Sequence, residues 1–188
     1  MPRYVALLRG INVGGHNRMA MADLRALVTS LGHGDVATYV QSGNVVFTAE
    51  PAAPAALADQ LARAIADTLH LTIAVVVVTA DDLARIVADN PWPDEPNPKG
   101  LHVSFRDTPL AADEVTAFAQ AEARARDKGS RDEASVVSGT LFLHTPDGLG
   151  RSELAVQLSR LPGAKGDRST MRNWSTVLKL SELVRQPG

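Results

Sequence analysis

The sequence predicts an α+β fold of two βαββα halves related by duplication, followed by a C-terminal helix. Three observations predict it. A strand, a helix, a hairpin and a second helix can be read in that order between residues 4 and 69, and again between residues 101 and 161. The hairpin turns Ser42-Gly43 and Ser138-Gly139 lie 96 residues apart, and the same offset carries Val5 onto Leu101, Leu7 onto Val103 and Arg9 onto Phe105. Between the two series stand Pro91, Pro93, Pro96 and Pro98, where neither a helix nor a sheet interior can continue. The expected division is residues 1–90, a Pro-rich linker over 91–100, and residues 101–188, each half a sheet with helices on one face.

The elements follow from local pattern. Tyr4 to Arg9 reads as a central strand because its apolar residues occupy both alternating faces. Met21, Leu24, Leu27, Val28 and Leu31 form one helical stripe, with Gly32 as its stop. Val36–Gln41 and Asn44–Thr48 flank the two-residue turn Ser42-Gly43 as a hairpin. Pro54 suits the first position of a helix to Leu69, whose Leu57, Leu61, Ile65 and Leu69 recur at spacing four. Leu71–Val78 is a strand, and Thr79 with Asp82 forms a capping box for a short helix ending at Asn90-Pro91. The second series comprises strand Leu101–Phe105, helix Ala112–Arg126, strands Glu133–Val137 and Thr140–His144, and helix Ser152–Leu161. The final helix, Thr170–Val184, stands outside the repeat, with Met171, Trp174 and Leu178 on one row and Val177, Leu180 and Val184 on the next.

Composition narrows the function classes. With 188 residues and 45% hydrophobic content the chain can bury a substantial core. It has no cysteine, which excludes disulfides, thiolate zinc sites and cysteine nucleophiles and fits a cytoplasmic protein. The longest apolar run, Ile73–Val78, is too short to cross a bilayer, so no membrane partner is expected. Net charge is -2, but three arginines and no acid give +3 over residues 1–20, and seven basic against three acidic residues give +4 over 151–188. That leaves -9 between them and permits a basic face on an acidic body, or a patchwork of solvated charges.

Four stretches could carry chemistry. The loop after the first strand holds Arg9, Gly10, Asn12, Gly14, Gly15, His16, Asn17 and Arg18 before a helix start, an arrangement that offers backbone N–H groups and cations to an anion. It matches neither the P-loop nor the dinucleotide pattern, and its glycines serve equally to build a tight connection. Gln41, Ser42 and Asn44 are either turn chemistry or rim contacts, with no base beside Ser42 to make it a nucleophile. Arg151 and Ser152 enter a helix after Asp147-Gly148-Leu149-Gly150, where an anion or plain N-capping would use them. Arg172, Asn173 and Trp174 come last: Trp174 has core spacing, with stacking on a base as the alternative, while Arg172 and Asn173 point off the apolar rows. The histidines, His16, His33, His70, His102 and His144, lack metal-ligand spacing, so no metal and no cofactor are expected.

On these stretches the chain resembles a bacterial family known only as a domain of unknown function, number sixteen ninety-seven. The segments that carry the resemblance are Tyr4 to Gly15, Met21-Ala22-Asp23-Leu24, Tyr39 to Phe47, Pro146 to Ser152, and Arg172 to Val177 with Lys179-Leu180. The resemblance implies a pair of ferredoxin-like α+β halves and lends no reaction. His16 stands where the family usually has lysine, and Ser175 where asparagine or arginine is common. The first departure removes a fixed positive charge from the loop, since histidine is largely neutral at pH 7.

The leading expectation is a binding module for a phosphate-bearing or other anionic ligand, a nucleotide or short RNA, held by Arg9, the Gly10–Arg18 loop and Arg172 with Ser42 and Asn44 at the rim. Two alternatives stay open. One is a transferase or hydrolase with His16 as proton carrier, the other a structural protein whose glycine loops and Trp174 lock the halves together. Oligomeric state leaves no signal.

Overall fold

The computed structural model describes residues 1–162 and 168–186. Its first half runs β1 (Arg3–Leu8), α1 (Met21–Ser30), β2 (Gly34–Tyr39), β3 (Asn44–Thr48), α2 (Pro54–Leu69), β4 (Val75–Thr79) and α3 (Ala80–Ala88). The second runs β5 (Leu101–Arg106), α4 (Ala112–Asp127), β6 (Glu133–Val137), β7 (Thr140–His144), a 3-10 turn (Leu149–Arg151), α5 (Glu153–Ser159), β8 (Ser169–Asn173) and α6 (Trp174–Arg185). The molecule is thus α+β, with two four-stranded antiparallel sheets ordered β2-β3-β1-β4 and β6-β7-β5-β8.

The double-sided apolar pattern of β1 explains the layering. Tyr4, Ala6 and Leu8 turn to an outer core with Leu24, Leu27 and Val28 of α1 and Leu57, Leu61 and Ile65 of α2. Val5 and Leu7 turn the other way, into a central core shared with Leu83 and Ile86 of α3 and Trp174, Val177, Leu180 and Val184 of α6. Leu101, Val103 and Phe105 of β5 close that central core from the second sheet. A smaller third core, with Ala121, Ala125, Leu143 and Leu154, lies under α4 and α5. Both faces of each sheet are therefore covered, where helices on one face were expected. A strand that is apolar on both sides needs two partners, and α3 and α6, packed side by side, supply the second. Each large side chain in the central core contributes about 1.5–3 kcal/mol of burial.

Local chemistry sets most ends as expected. Gly32, at φ +86°, terminates α1. Thr79 Oγ1 accepts from Asp82 N at 3.0 Å while Asp82 Oδ2 accepts from Thr79 N at 3.0 Å, completing the capping box. Three expectations are corrected. The strand expected from Leu71 begins at Val75, and Leu71 and Ile73 pack against the outer core from irregular chain. The first hairpin pairs Tyr39 with Asn44, so its connection is the four residues Val40 to Gly43; the second pairs Val137 with Thr140 around the two-residue Ser138-Gly139.

The third correction matters most: the final helix starts at Trp174, not Thr170, because Ser169–Asn173 is a strand. Thr170 and Arg172 are buried and alternate with half-buried neighbours, the period of two that a strand requires. Met171, which had been counted with Trp174 on a helical row, packs against the third core instead. Asn173 is extended (φ -70°, ψ 158°), and its Oδ1 accepts from Thr176 N at 2.9 Å as the cap of α6. β8 and α6 therefore follow α5 as β4 and α3 follow α2, and the C-terminal helix is no appendage.

Candidate functional site

The alternation of β8 sends Arg172 inward, across to the end of the first sheet. Its side chain is only 8% exposed in relative terms. Nε donates to Asn44 Oδ1 at 2.6 Å, Nη1 to Thr170 Oγ1 at 2.7 Å and to the Met171 carbonyl at 2.9 Å. Nη2 donates to the Leu8 carbonyl at 2.7 Å and to the Ser42 carbonyl at 3.1 Å. All five donors of the guanidinium are thus engaged by the chain itself. No carboxylate pairs with it among the described residues, and burial pushes its pKa down to about 10. The group is still a cation at pH 7, balanced by carbonyl and amide dipoles rather than by a countercharge.

The acceptors are built by two tight bends. Asn44 is fully buried; its Nδ2 donates to the Tyr39 carbonyl at 3.0 Å and to Ser42 Oγ at 2.9 Å, holding the four-residue connection in shape. Gly43 sits at φ +75°, and a Cβ on it would come within 2.7 Å of Leu8 Cβ and 2.8 Å of Ile11 Cδ1. Its carbonyl accepts from Leu8 N at 2.8 Å, which seats the bend on the end of β1.

The loop after β1 is ordered by two asparagines in the left-handed region, Asn12 (φ 55°) and Asn17 (φ 47°). Asn12 Nδ2 donates to the carbonyls of Met19 at 3.0 Å and Gln41 at 2.9 Å, and Asn12 Oδ1 accepts from Met19 N at 2.9 Å. Asn17 Nδ2 donates to the Gly10 carbonyl at 3.1 Å, and Val13 pairs with His16 across Gly14-Gly15. The loop is a short folded tongue with an exposed tip.

A cavity of about 510 Å³ opens between this tongue and β8. Of the residues singled out in the sequence, it gathers Arg9, Gly10, Ser42, Arg172 and Asn173 along its wall. Asn12, Gly15, Arg18 and Gln41 line a second hollow of about 480 Å³. Gly14 and His16 are exposed at the tip of the tongue, and Asn44 lies buried beneath the Arg172 guanidinium. Ser152 is 4% exposed, caps α5 by accepting from Ala155 N at 2.9 Å, and donates to buried Asp132 at 2.9 Å. Arg151 is exposed in the 3-10 turn, whose Leu149 reaches the cavity. Trp174 packs in the central core, its ring centroid 6.5 Å from that of Phe142.

His102 and Ser104 also line the cavity and were not singled out. The signal was present: they alternate with Leu101, Val103 and Phe105, two polar residues on one face of an otherwise apolar strand. Burial lowers the His102 pKa, opposed by a hydrogen bond to Gly100, and Thr145 Oγ1 stands 3.4 Å from its Nδ1. A histidine depressed in the folded state binds fewer protons than the unfolded chain just below pH 6.5, so stability falls as pH drops from about 7 towards 5. We expect the thermal midpoint to decline over that window and the decline to flatten in His102→Asn; an unchanged slope in the variant would remove His102 as its source.

Among families, the model for "Protein of unknown function (DUF1697)" matches residues 1–141, three quarters of the chain. The chain belongs to the DUF1697 family. No curated protein matches it. Of solved structures, the conserved bacterial protein SP0830 from Streptococcus pneumoniae is similar in fold, with a TM-score of 0.74 at 23% identity, covering 98% of this chain and 99% of that one. The DUF1697 match includes the tongue and the Val40–Gly43 bend but stops short of Arg172, so one wall of the cavity lies inside the matched region and the β8 wall beyond it. Among the described residues no helix is long and apolar enough to cross a membrane.

Proposed function

We propose that the cavity between the tongue and β8 binds a ligand through an anionic group, phosphate or carboxylate. The observation that carries this reading is a buried cation, Arg172, paired with no carboxylate among the described residues, on the wall of a cavity that also holds Arg9 and the capped start of α6. Arg172 has no hydrogen left to give, so its contribution is charge. A unit anion about 6 Å away would gain roughly 3 kcal/mol at an effective dielectric near 20. Direct contacts would come from Arg9 and the Ser104 and Thr176 hydroxyls. Part of the same reading is that the halves are ferredoxin-like units descended from one by duplication, supported by their shared strand order, and that the protein works in the cytoplasm.

One observation favours a second, purely structural reading: three of the five bonds of Arg172 already join β8 to the end of β1, to the Ser42 bend and to Asn44. Thermal-shift screening with nucleotides, sugar phosphates, short RNAs and small carboxylates separates the two. A ligand at 100 times its Kd stabilises by about 2.7 kcal/mol, a rise of roughly 5–10 °C for a chain of this size. Arg9→Gln should abolish that rise, read against the variant's own ligand-free midpoint. A midpoint that no anion moves leaves the structural reading standing alone.

A further inference from the structure

We infer that the ligand is the C-terminal end of an extended peptide, which adds as a strand to the free edge of β8 and places its carboxylate beside Arg9 and the Arg172 charge. This rests on the anion-binding reading above and names the ligand class. Among the described residues β8 is the outermost strand of its sheet and pairs with β5 alone, from His102↔Asn173 to Arg106↔Ser169, without a bulge. All five of its residues, Ser169 to Asn173, line the cavity. An antiparallel strand turns half of its N–H and C=O groups to each side, so the groups spent neither on β5 nor, like the Met171 carbonyl, on Arg172 are left for an added strand.

Exposed edges are normally blunted by charge, proline or a bulge. Of the other outer strands, β2 carries a register shift between Gly34 and Ala37 and β6 opens on exposed Glu133, while β4 (Val-Val-Val-Val-Thr) is as unguarded as β8 but borders no cavity that also holds Arg9 and Arg172. β8 has no such guard: its one charge, Arg172, points inward and is fully engaged, and no proline interrupts Ser-Thr-Met-Arg-Asn. Strand addition supplies main-chain bonds along an edge, with pockets for alternate side chains, and a glycine-bearing loop at its end suits a terminal carboxylate.

The lining also discriminates among anions. Leu8, Ile11, Val13, Leu149 and Met171 give the cavity an aliphatic wall, and among the described residues that line it the one ring is the imidazole of His102. A nucleobase would find no aromatic platform there, whereas an aliphatic side chain next to a carboxylate finds both partners.

The test is a titration of the full-length 15N-labelled protein, read at backbone amides. The probes are a pooled library of acetyl-capped tetrapeptides ending in Leu, Ile or Val with free carboxylates, the same library as C-terminal amides, sodium phosphate, and AMP. The expected result is that the free-acid library moves the amides of Ser169–Asn173 and that the amide library binds at least 10-fold more weakly. In Arg9→Gln, free-acid binding should drop towards the amide level. Equal binding of both libraries, or shifts confined to other surfaces, overturns the inference. Shifts at the cavity with phosphate or AMP but with neither library overturn the peptide assignment and leave the anion reading intact. No shift with any probe overturns both.

Discussion

Replacing Arg172 by alanine is expected to cost about 3–5 kcal/mol, because it strips several buried acceptors of a charged donor, each such loss being worth about 1–3 kcal/mol and partly offset by water. At roughly 2–4 °C per kcal/mol for a chain of this length, the thermal midpoint should fall by about 6–20 °C. The loss follows from what is left behind. Asn44 Oδ1 and the Leu8 and Ser42 carbonyls would lose their donor within the protein, each at about 1–3 kcal/mol if it stays dry. Arg172→Lys keeps the charge but offers three donors from one point in place of a planar fork, so it should recover only part of the loss. Chemical denaturation of the three proteins measures this directly. A cost below about 1 kcal/mol for the alanine variant would mean that these acceptors find water and that Arg172 does not hold the two halves together here.

Gly43→Ala is expected to destabilise by about 2–5 kcal/mol, and the matching change in the second hairpin shows why. Gly43 and Gly139 adopt nearly the same backbone, φ +75° and +76°, so each substitution carries the same left-handed penalty of about 1–2 kcal/mol. At Gly139 nothing lies within 4 Å of the new methyl, and the penalty should end there. At Gly43 the methyl would meet Leu8 and Ile11, both 1–2% exposed and without room to retreat, adding about 1–3 kcal/mol of overpacking. Comparing the two variants by urea denaturation isolates the packing share. Equal losses would show that the bend can lift away from β1 at no cost, and with it the Ser42 carbonyl that Arg172 holds.

Both expectations concern one junction, and its parts differ in how visible they are in the chain. The tongue is legible because its glycines and asparagines are needed for local backbone shape: Asn12 and Asn17 act on residues within seven positions, apart from the bond to Gln41. The Val40–Gly43 bend is half legible. Ser42-Gly43 marks a turn in either hairpin, but the four-residue form also depends on Asn44 bonding back to Tyr39 and on Gly43 lying against Leu8. β8 looks in the sequence like the first turn of a helix, since Met171, Trp174 and Leu178 have helical spacing and a strand of five residues has little room to show a period of two.

By itself the sequence determined the two series of elements, the double-sided burial of β1, most caps and the polar tongue, because each of these is decided by residues a few positions apart. Only the tertiary structure decided that Arg172 is spent on acceptors 128 to 164 residues away, that Ser152 is tied to Asp132, and that His102 and Ser104 share a cavity with Arg9. The physical reason is that a strand's pattern states which face is buried but not what it will face. The partners of a buried guanidinium are chosen when two sheets close over α3 and α6, and no local pattern in the chain encodes that meeting.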